Sequence, residues 1–144
     1  MLRQGILNPN INSLLSRVRH TNTLVIADRG FPYWPQIETI DLSLMDDIPR
    51  VLDVLRAVLA NCNFGAAFMA DEFRSANQPG VEAEFRRVLG DISLGFEPHV
   101  QFKKRVPSAI GLIRTGDTTQ YSNIILRISI ARRRIVDSEN GNEN

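Results

Sequence analysis

The chain has 144 residues, 43% apolar and 23% charged, which fits one globular domain with a real core and excludes global disorder. Its 17 basic and 16 acidic residues leave a net charge of +1, which argues against a nucleic-acid binder working through a broad basic face. Cys62 is the only cysteine, so an internal disulfide is excluded, and no apolar run approaches the ~20 residues of a membrane span. The opening MLRQGILNPN lacks the long apolar core of a signal peptide. The expectation is a soluble, cytoplasmic protein, with no internal repeat and no zinc-type cluster.

In chain order, Asn8-Pro9-Asn10 reads as a turn in which Asn10 caps a helix. Ile11, Leu14, Leu15 and Val18 recur at i, i+3, i+4 and i+7, one face of a short amphipathic helix that runs out near Arg19-His20. Thr23 to Ala27 are apolar or β-branched and predict a buried strand. That run stops on Asp28, and Gly30 and Pro32 turn the chain. Ligands of open α/β sheets gather beyond the carboxyl ends of the strands, so Asp28 is a candidate ligand contact. Its blander reading is an Asx-turn former.

Glu38 to Leu44 alternates in part and reads as a second strand. Asp46 and Asp47 before Ile48-Pro49 make a helix start. Ile48, Val51, Leu52, Leu55, Val58, Leu59 and Cys62 then form the clearest helical stripe in the chain. Gly65 to Ala70 predicts a central strand ending on Asp71-Glu72. Val81, Phe85, Val88 and Leu89 predict a helix stopped by Gly90. A strand follows over Ile92 to Phe96. Pro98 opens a weak helix with His99, Phe102 and Val106, closed by Pro107. Two more strands, Ala109 to Ile113 and Asn123 to Ile130, are expected to pair antiparallel at one edge. The polar tail from 132 to 144 is expected to be disordered at its end. Strands alternating with helices mean an α/β domain with a mainly parallel sheet.

The glycines Gly30, Gly65, Gly80 and Gly90 are isolated, so phosphate-loop and dinucleotide readings fail. No serine sits in a nucleophile elbow. Cys62 lies on the apolar face of a helix, where an inert buried thiol is the better reading. His20 and His99 are the only histidines, and either alone is most often a surface or capping residue. Tyr121 and Asn123 flank a strand start, where turn residues are common. The run Arg132-Arg133-Arg134 reads as a solvated edge beside Asp137, Glu139 and Glu143.

Taken together, the pattern is more specific. His20, the strand Thr23 to Ala27 and the turn Asp28-Arg29-Gly30-Phe31-Pro32 resemble the opening of the ribose pyranase and fucose mutarotase family. His99-Val100-Gln101-Phe102 looks like the His-x-x-Phe of its ribose branch. Ile113-Arg114-Thr115-Gly116-Asp117, then Tyr121-Ser122-Asn123-Ile124-Ile125-Leu126, resemble two later motifs. The resemblance runs from about Leu2 to Ile128, and gives one sugar mutarotase domain over 1–131. It implies a three-layer sandwich with a mostly parallel central sheet. It places His20 in the catalytic acid/base position and Asp28, His99, Tyr121 and Asn123 in sugar-binding positions. Where the fucose branch has Arg this chain has His99, which tilts the expectation toward ribose-like sugars. The implied assembly is a homodecamer with sites at subunit interfaces.

The reaction implied is ring opening and reclosure of a reducing monosaccharide, interconverting pyranose and furanose forms or anomers. Only protons move, so no metal and no cofactor is needed. Histidine, with an ordinary pKa of about 6.5, suits that work. Trp34, Tyr33 or Phe31 either covers an apolar sugar face or fills a core or interface. Arg29 either meets a phosphate or pairs with an acid. His20 precedes the strand and Asp28 follows it, so five residues at ~3.3 Å each separate them by ~16 Å. One small ring cannot touch both unless the chain doubles back near His20 or a neighbouring subunit shares the site. A non-catalytic sugar-binding protein on the same fold, or a structural scaffold, are the competing expectations.

Overall fold

The chain's architecture is taken from a computed structural model that describes residues 5–128. The first helix, α1 (Pro9–Ser16), begins where the Asn8 side chain accepts the backbone N–H groups of Asn10 and Ile11 at 2.9 and 3.0 Å. The cap is therefore Asn8, not Asn10, because proline at the first helical position leaves the residue before it to supply the acceptor. Ile11, Leu14 and Val18 are buried, as their spacing predicts. The next element, β1 (Thr23–Ala27), matches the expected strand.

β2 (Glu38–Asp41) is shorter than expected. It stops because the Asp41 carboxylate takes the Ser43 N–H at 2.9 Å and turns the chain, leaving Leu44 77% exposed. α2 (Val51–Asn61) starts after Ile48-Pro49 rather than on it. Asp53 accepts the Arg50 N–H at 2.8 Å and Asp117 accepts the Val51 N–H at 2.9 Å, so these acids do the work expected of Asp46 and Asp47. Ile48, expected on the buried stripe, is 48% exposed and bridges to Met45.

β3 (Phe64–Ala70) runs directly into a short helix, α3 (Asp71–Ala76), which periodicity does not announce. α4 (Pro79–Leu89) ends at Gly90, whose φ of 59° suits a residue without Cβ. β4 (Ser93–Glu97), α5 (His99–Arg105), a 3-10 turn (Val106–Ser108), β5 (Gly111–Arg114) and β6 (Ile124–Ile128) complete the described chain. The expected strand end at Ile130 and the Arg132–Arg134 tail lie outside the described residues.

The six strands form one sheet in the order β2-β5-β1-β6-β3-β4. Five run the same way, and β6 is antiparallel to both β1 and β3. The expected antiparallel pair at one edge is therefore corrected: β6 sits in the middle and does not pair with β5. Ile124, Ile125 and Leu126 are fully buried, which demands cover on each face of the sheet. On one face Leu24, Ile26, Ile124 and Leu126 pack under α1, α2 and α4. On the other, Val25, Ala27, Leu112 and Ile125 pack under Phe31, Phe102 and Val106. This is the three-layer α/β sandwich with a mostly parallel sheet. Its consequence for function is directional: β1, β5, β3 and β4 end, and β6 begins, at one end of the sheet.

Candidate active site

Asp28, His99, Tyr121 and Asn123 converge at that end, with Gly30, Phe31, Pro32 and Gln120, around a pocket of about 270 Å³. Pockets for drug-sized ligands run roughly 300–1,000 Å³, so this one suits a monosaccharide. Each side chain arrives from a different segment. Asp28 leaves β1 and its carboxylate accepts the Gly30 N–H at 3.0 Å, which forms the turn its bland reading expected. Asn123 precedes β6 and its side-chain oxygen accepts the Asp28 N–H at 2.7 Å. That bond fixes the amide orientation and leaves the Asn123 NH2 group to donate. His99 opens α5. Tyr121 sits in the loop before β6 with φ of 56°, a left-handed conformation that only well-braced surroundings maintain.

The rings pack edge to face. His99 and Tyr121 centroids lie 5.1 Å apart at 81°, and Phe31 meets His99 at 6.4 Å and 82°. Phe102 stacks beneath His99 at 6.0 Å. This apolar setting shapes the titration. Burial pushes the His99 imidazole below its ordinary value and Lys103 adds to the effect, while Glu72 and Asp28 oppose it. The neutral imidazole is thus favoured, and its buried Nδ1 has no partner among the described residues. Burial pushes the Asp28 carboxyl above the ordinary range, with the charge of Asp117 adding to it; Gly30 N–H and the Asn123 amide pull the other way.

His20 is not in this pocket. It is exposed in the turn Arg19–Asn22, held by an Asn22 N–H donating to the Arg19 carbonyl at 3.0 Å, at the amino end of β1. Five strand residues separate it from Asp28, ~16 Å at ~3.3 Å each. The chain does not double back to close the gap.

The aromatic alternatives divide. Phe31 is 3% exposed and lines the pocket, Trp34 packs into the core beneath it, and Tyr33 faces solvent. Arg29 pairs with Asp46 at 2.6 Å. Three supporting residues escaped the sequence reading. Gln120 lines the pocket, Glu72 accepts the His99 backbone N–H, and buried Asp117 joins the loop after β5 to α2. Asp117 stands in a recognisable motif, but its hydrogen-bond partners are 66 residues away or set by the turn itself. Among the described residues no group of histidine, cysteine and carboxylate side chains could hold a metal ion, and no helix is long and apolar enough to cross a membrane.

A D-ribose pyranase of Geobacillus kaustophilus is 40% identical over 131 residues, covering 91% of this chain and 96% of its own. One of Geobacillus thermodenitrificans is 38% identical over 130 residues, covering 90% and 98%. Among solved structures, Bacillus subtilis RbsD complexed with D-ribose matches with a TM-score of 0.84 at 29% identity, covering 90% of this chain and 98% of that one. The fucose mutarotase of Streptococcus pneumoniae in complex with L-fucose matches in fold, with a TM-score of 0.76 at 17% identity over 90% of this chain and 99% of that one. A model of the RbsD / FucU transport protein family matches residues 1–131, and the chain belongs to that family.

Proposed function

We propose that this protein is an isomerase that interconverts ring forms of a reducing monosaccharide, with D-ribose the favoured substrate. The observation that carries the reading is the convergence of Asp28, His99, Tyr121 and Asn123 on one sugar-sized pocket. The D-ribose pyranase relatives point to the same chemistry.

In the reaction the anomeric hydroxyl gives up its proton, the bond from the anomeric carbon to the ring oxygen breaks, and the ring oxygen gains a proton. The open aldehyde recloses on another hydroxyl to change ring size, or on its other face to change the anomer. Asp28 accepts from a sugar hydroxyl. The Asn123 NH2, which also faces the Asp28 carboxylate, donates to one. The unpartnered Nδ1 of His99 and the Tyr121 hydroxyl complete the hold on the ring. His20 of a second copy carries the proton, because a His20 in the same copy stands at the opposite end of β1. Positioned acid/base catalysis contributes typically 10²–10⁴-fold, enough for a reaction that already proceeds unaided. A ring-shaped homo-oligomer, the decamer that the family resemblance implies, supplies these shared sites. The working domain spans 1–131, and the setting is the cytoplasm.

Saturation-transfer NMR on D-ribose tests this. Catalytic amounts of protein should accelerate transfer between pyranose and furanose signals. The position of His20 outside the pocket favours a second reading, a sugar-binding protein without turnover. That protein would broaden ribose signals without accelerating exchange.

A further inference from the structure

The short helix α3 contributes no residue to the pocket, yet it grips two segments that do. In its first turn Glu72 accepts the His99 backbone N–H through both carboxylate oxygens, each at 3.1 Å. Just past its last turn Asn77 donates its side-chain N–H to the Gln120 carbonyl at 2.9 Å and to the Phe73 carbonyl at 2.8 Å. His99 is the first residue of α5, and Gln120 is the residue before Tyr121. The two rings that meet at 5.1 Å are thus held from behind by the two ends of one helix.

α5 needs that hold. It has seven residues, follows Pro98 at the cap position and has no side-chain cap of its own. Helices this short gain their stability from what they dock against, and the first N–H groups of any helix lack an internal partner. Glu72 supplies the missing acceptor from another element, with the strength of a charged acceptor. Among the described residues it enters no ion pair, so no cation competes for the carboxylate.

We propose that Glu72 is a positioning residue: it anchors the start of α5 so that the His99 imidazole stands against Tyr121 in the sugar pocket. This role rests on the reading of the pocket as a ribose site. It has a second, electrostatic side. The groups facing His99 are Lys103 from its own helix, Asp28 from the end of β1, the Tyr121 ring from the loop before β6, and Glu72 from α3. The Glu72 charge favours the imidazolium form against burial and Lys103.

Two variants separate position from charge. Glu72→Gln keeps an oxygen for the His99 N–H, whereas Glu72→Ala has none. In D-ribose exchange, Glu72→Ala should raise KM about tenfold, the worth of one hydrogen bond to a charged group, with kcat within about threefold of wild type. Glu72→Gln should hold KM within about twofold. Heteronuclear NMR of the His99 ring gives a readout that does not need turnover. The imidazole should titrate at lower pH in Glu72→Gln than in wild type, and the His99 amide should stay protected from exchange in Glu72→Gln but not in Glu72→Ala. A wild-type KM in Glu72→Ala, or a Glu72→Gln protein as impaired as Glu72→Ala, overturns the role. If wild type itself leaves D-ribose exchange unchanged, the enzyme reading fails instead. The anchoring of His99 then stands or falls on the ring titration and amide protection alone.

Discussion

The Asn123 side-chain oxygen accepts the Asp28 backbone N–H at 2.7 Å, joining residues 95 positions apart at the end of β1 and the start of β6. Asn123 is 4% exposed, so the bond braces the turn after β1 from inside the fold. Asn123→Ala leaves a part-buried N–H without its partner, which should cost about 1–3 kcal/mol of stability in urea unfolding. It should also weaken ribose binding in calorimetric titration, because the donor to the sugar is gone. Asn123→Asp restores an acceptor but sets a second carboxylate beside Asp28, and should bind ribose as poorly as Asn123→Ala. Unchanged stability and affinity in Asn123→Ala would contradict both roles.

Asp28 makes a pH-dependent prediction. Its folded pKa lies above the ordinary carboxylate value of 3.8, chiefly because the group is buried. A raised carboxylate costs stability once ionised: the cost is absent below 3.8, appears as pH climbs through the raised value, and is complete above it. Asp28→Asn removes the charge and keeps an oxygen for the Gly30 N–H. The melting temperature of Asp28→Asn relative to wild type should therefore rise with pH across that window and then level off, while ribose affinity falls. A difference that is flat in pH would show that burial does not penalise this carboxylate.

Asp117 is the joint between the site and the rest of the fold. It is 3% exposed, and its carboxylate takes the N–H groups of Val51 at 2.9 Å and Thr119 at 2.8 Å. Its backbone carbonyl accepts the Arg29 N–H at 3.1 Å. Asp117→Ala removes the acceptor from α2 and leaves a buried N–H unpaired, so it should cost about 2–4 kcal/mol in urea unfolding. Asp117→Asn keeps one oxygen and should cost about half as much. Equal stabilities for wild type and Asp117→Ala would remove this joint from the account.

Local signals in the sequence were enough for β1, for Val51, Leu55 and Val58 on the stripe of α2 and for the end of α4 at Gly90, because apolar spacing and glycine act over a few residues. The boundaries that shifted depend on distant partners. α2 begins at Val51 because Asp117 reaches it, and nothing near Pro49 announces that. α3 stayed hidden because six residues are too few to show a helical period. β6 was expected at an edge because chain neighbours often pair. Its three buried residues Ile124, Ile125 and Leu126 look the same at an edge or in the centre, and the centre follows only from how β1 and β3 sit. At the site, the resemblance to the ribose pyranase and fucose mutarotase family, not the residues taken singly, pointed to Asp28, His99, Tyr121 and Asn123, which the fold brings together. Glu72 was read as a strand end, since its work is done on a backbone group 27 residues away.

The central claim is that sugar ring exchange takes place in a site shared between two copies, with His20 from one and Asp28 from the other. Subunit mixing tests it most directly. His20→Ala and Asp28→Asn should each lose accelerated D-ribose exchange while keeping wild-type circular dichroism and assembly size. Co-expression of the two variants should restore a measurable part of wild-type activity, because hybrid assemblies contain interfaces with one intact His20 and one intact Asp28. If wild type is active and both variants assemble, yet the mixed protein stays as inactive as its parents, the shared site is wrong.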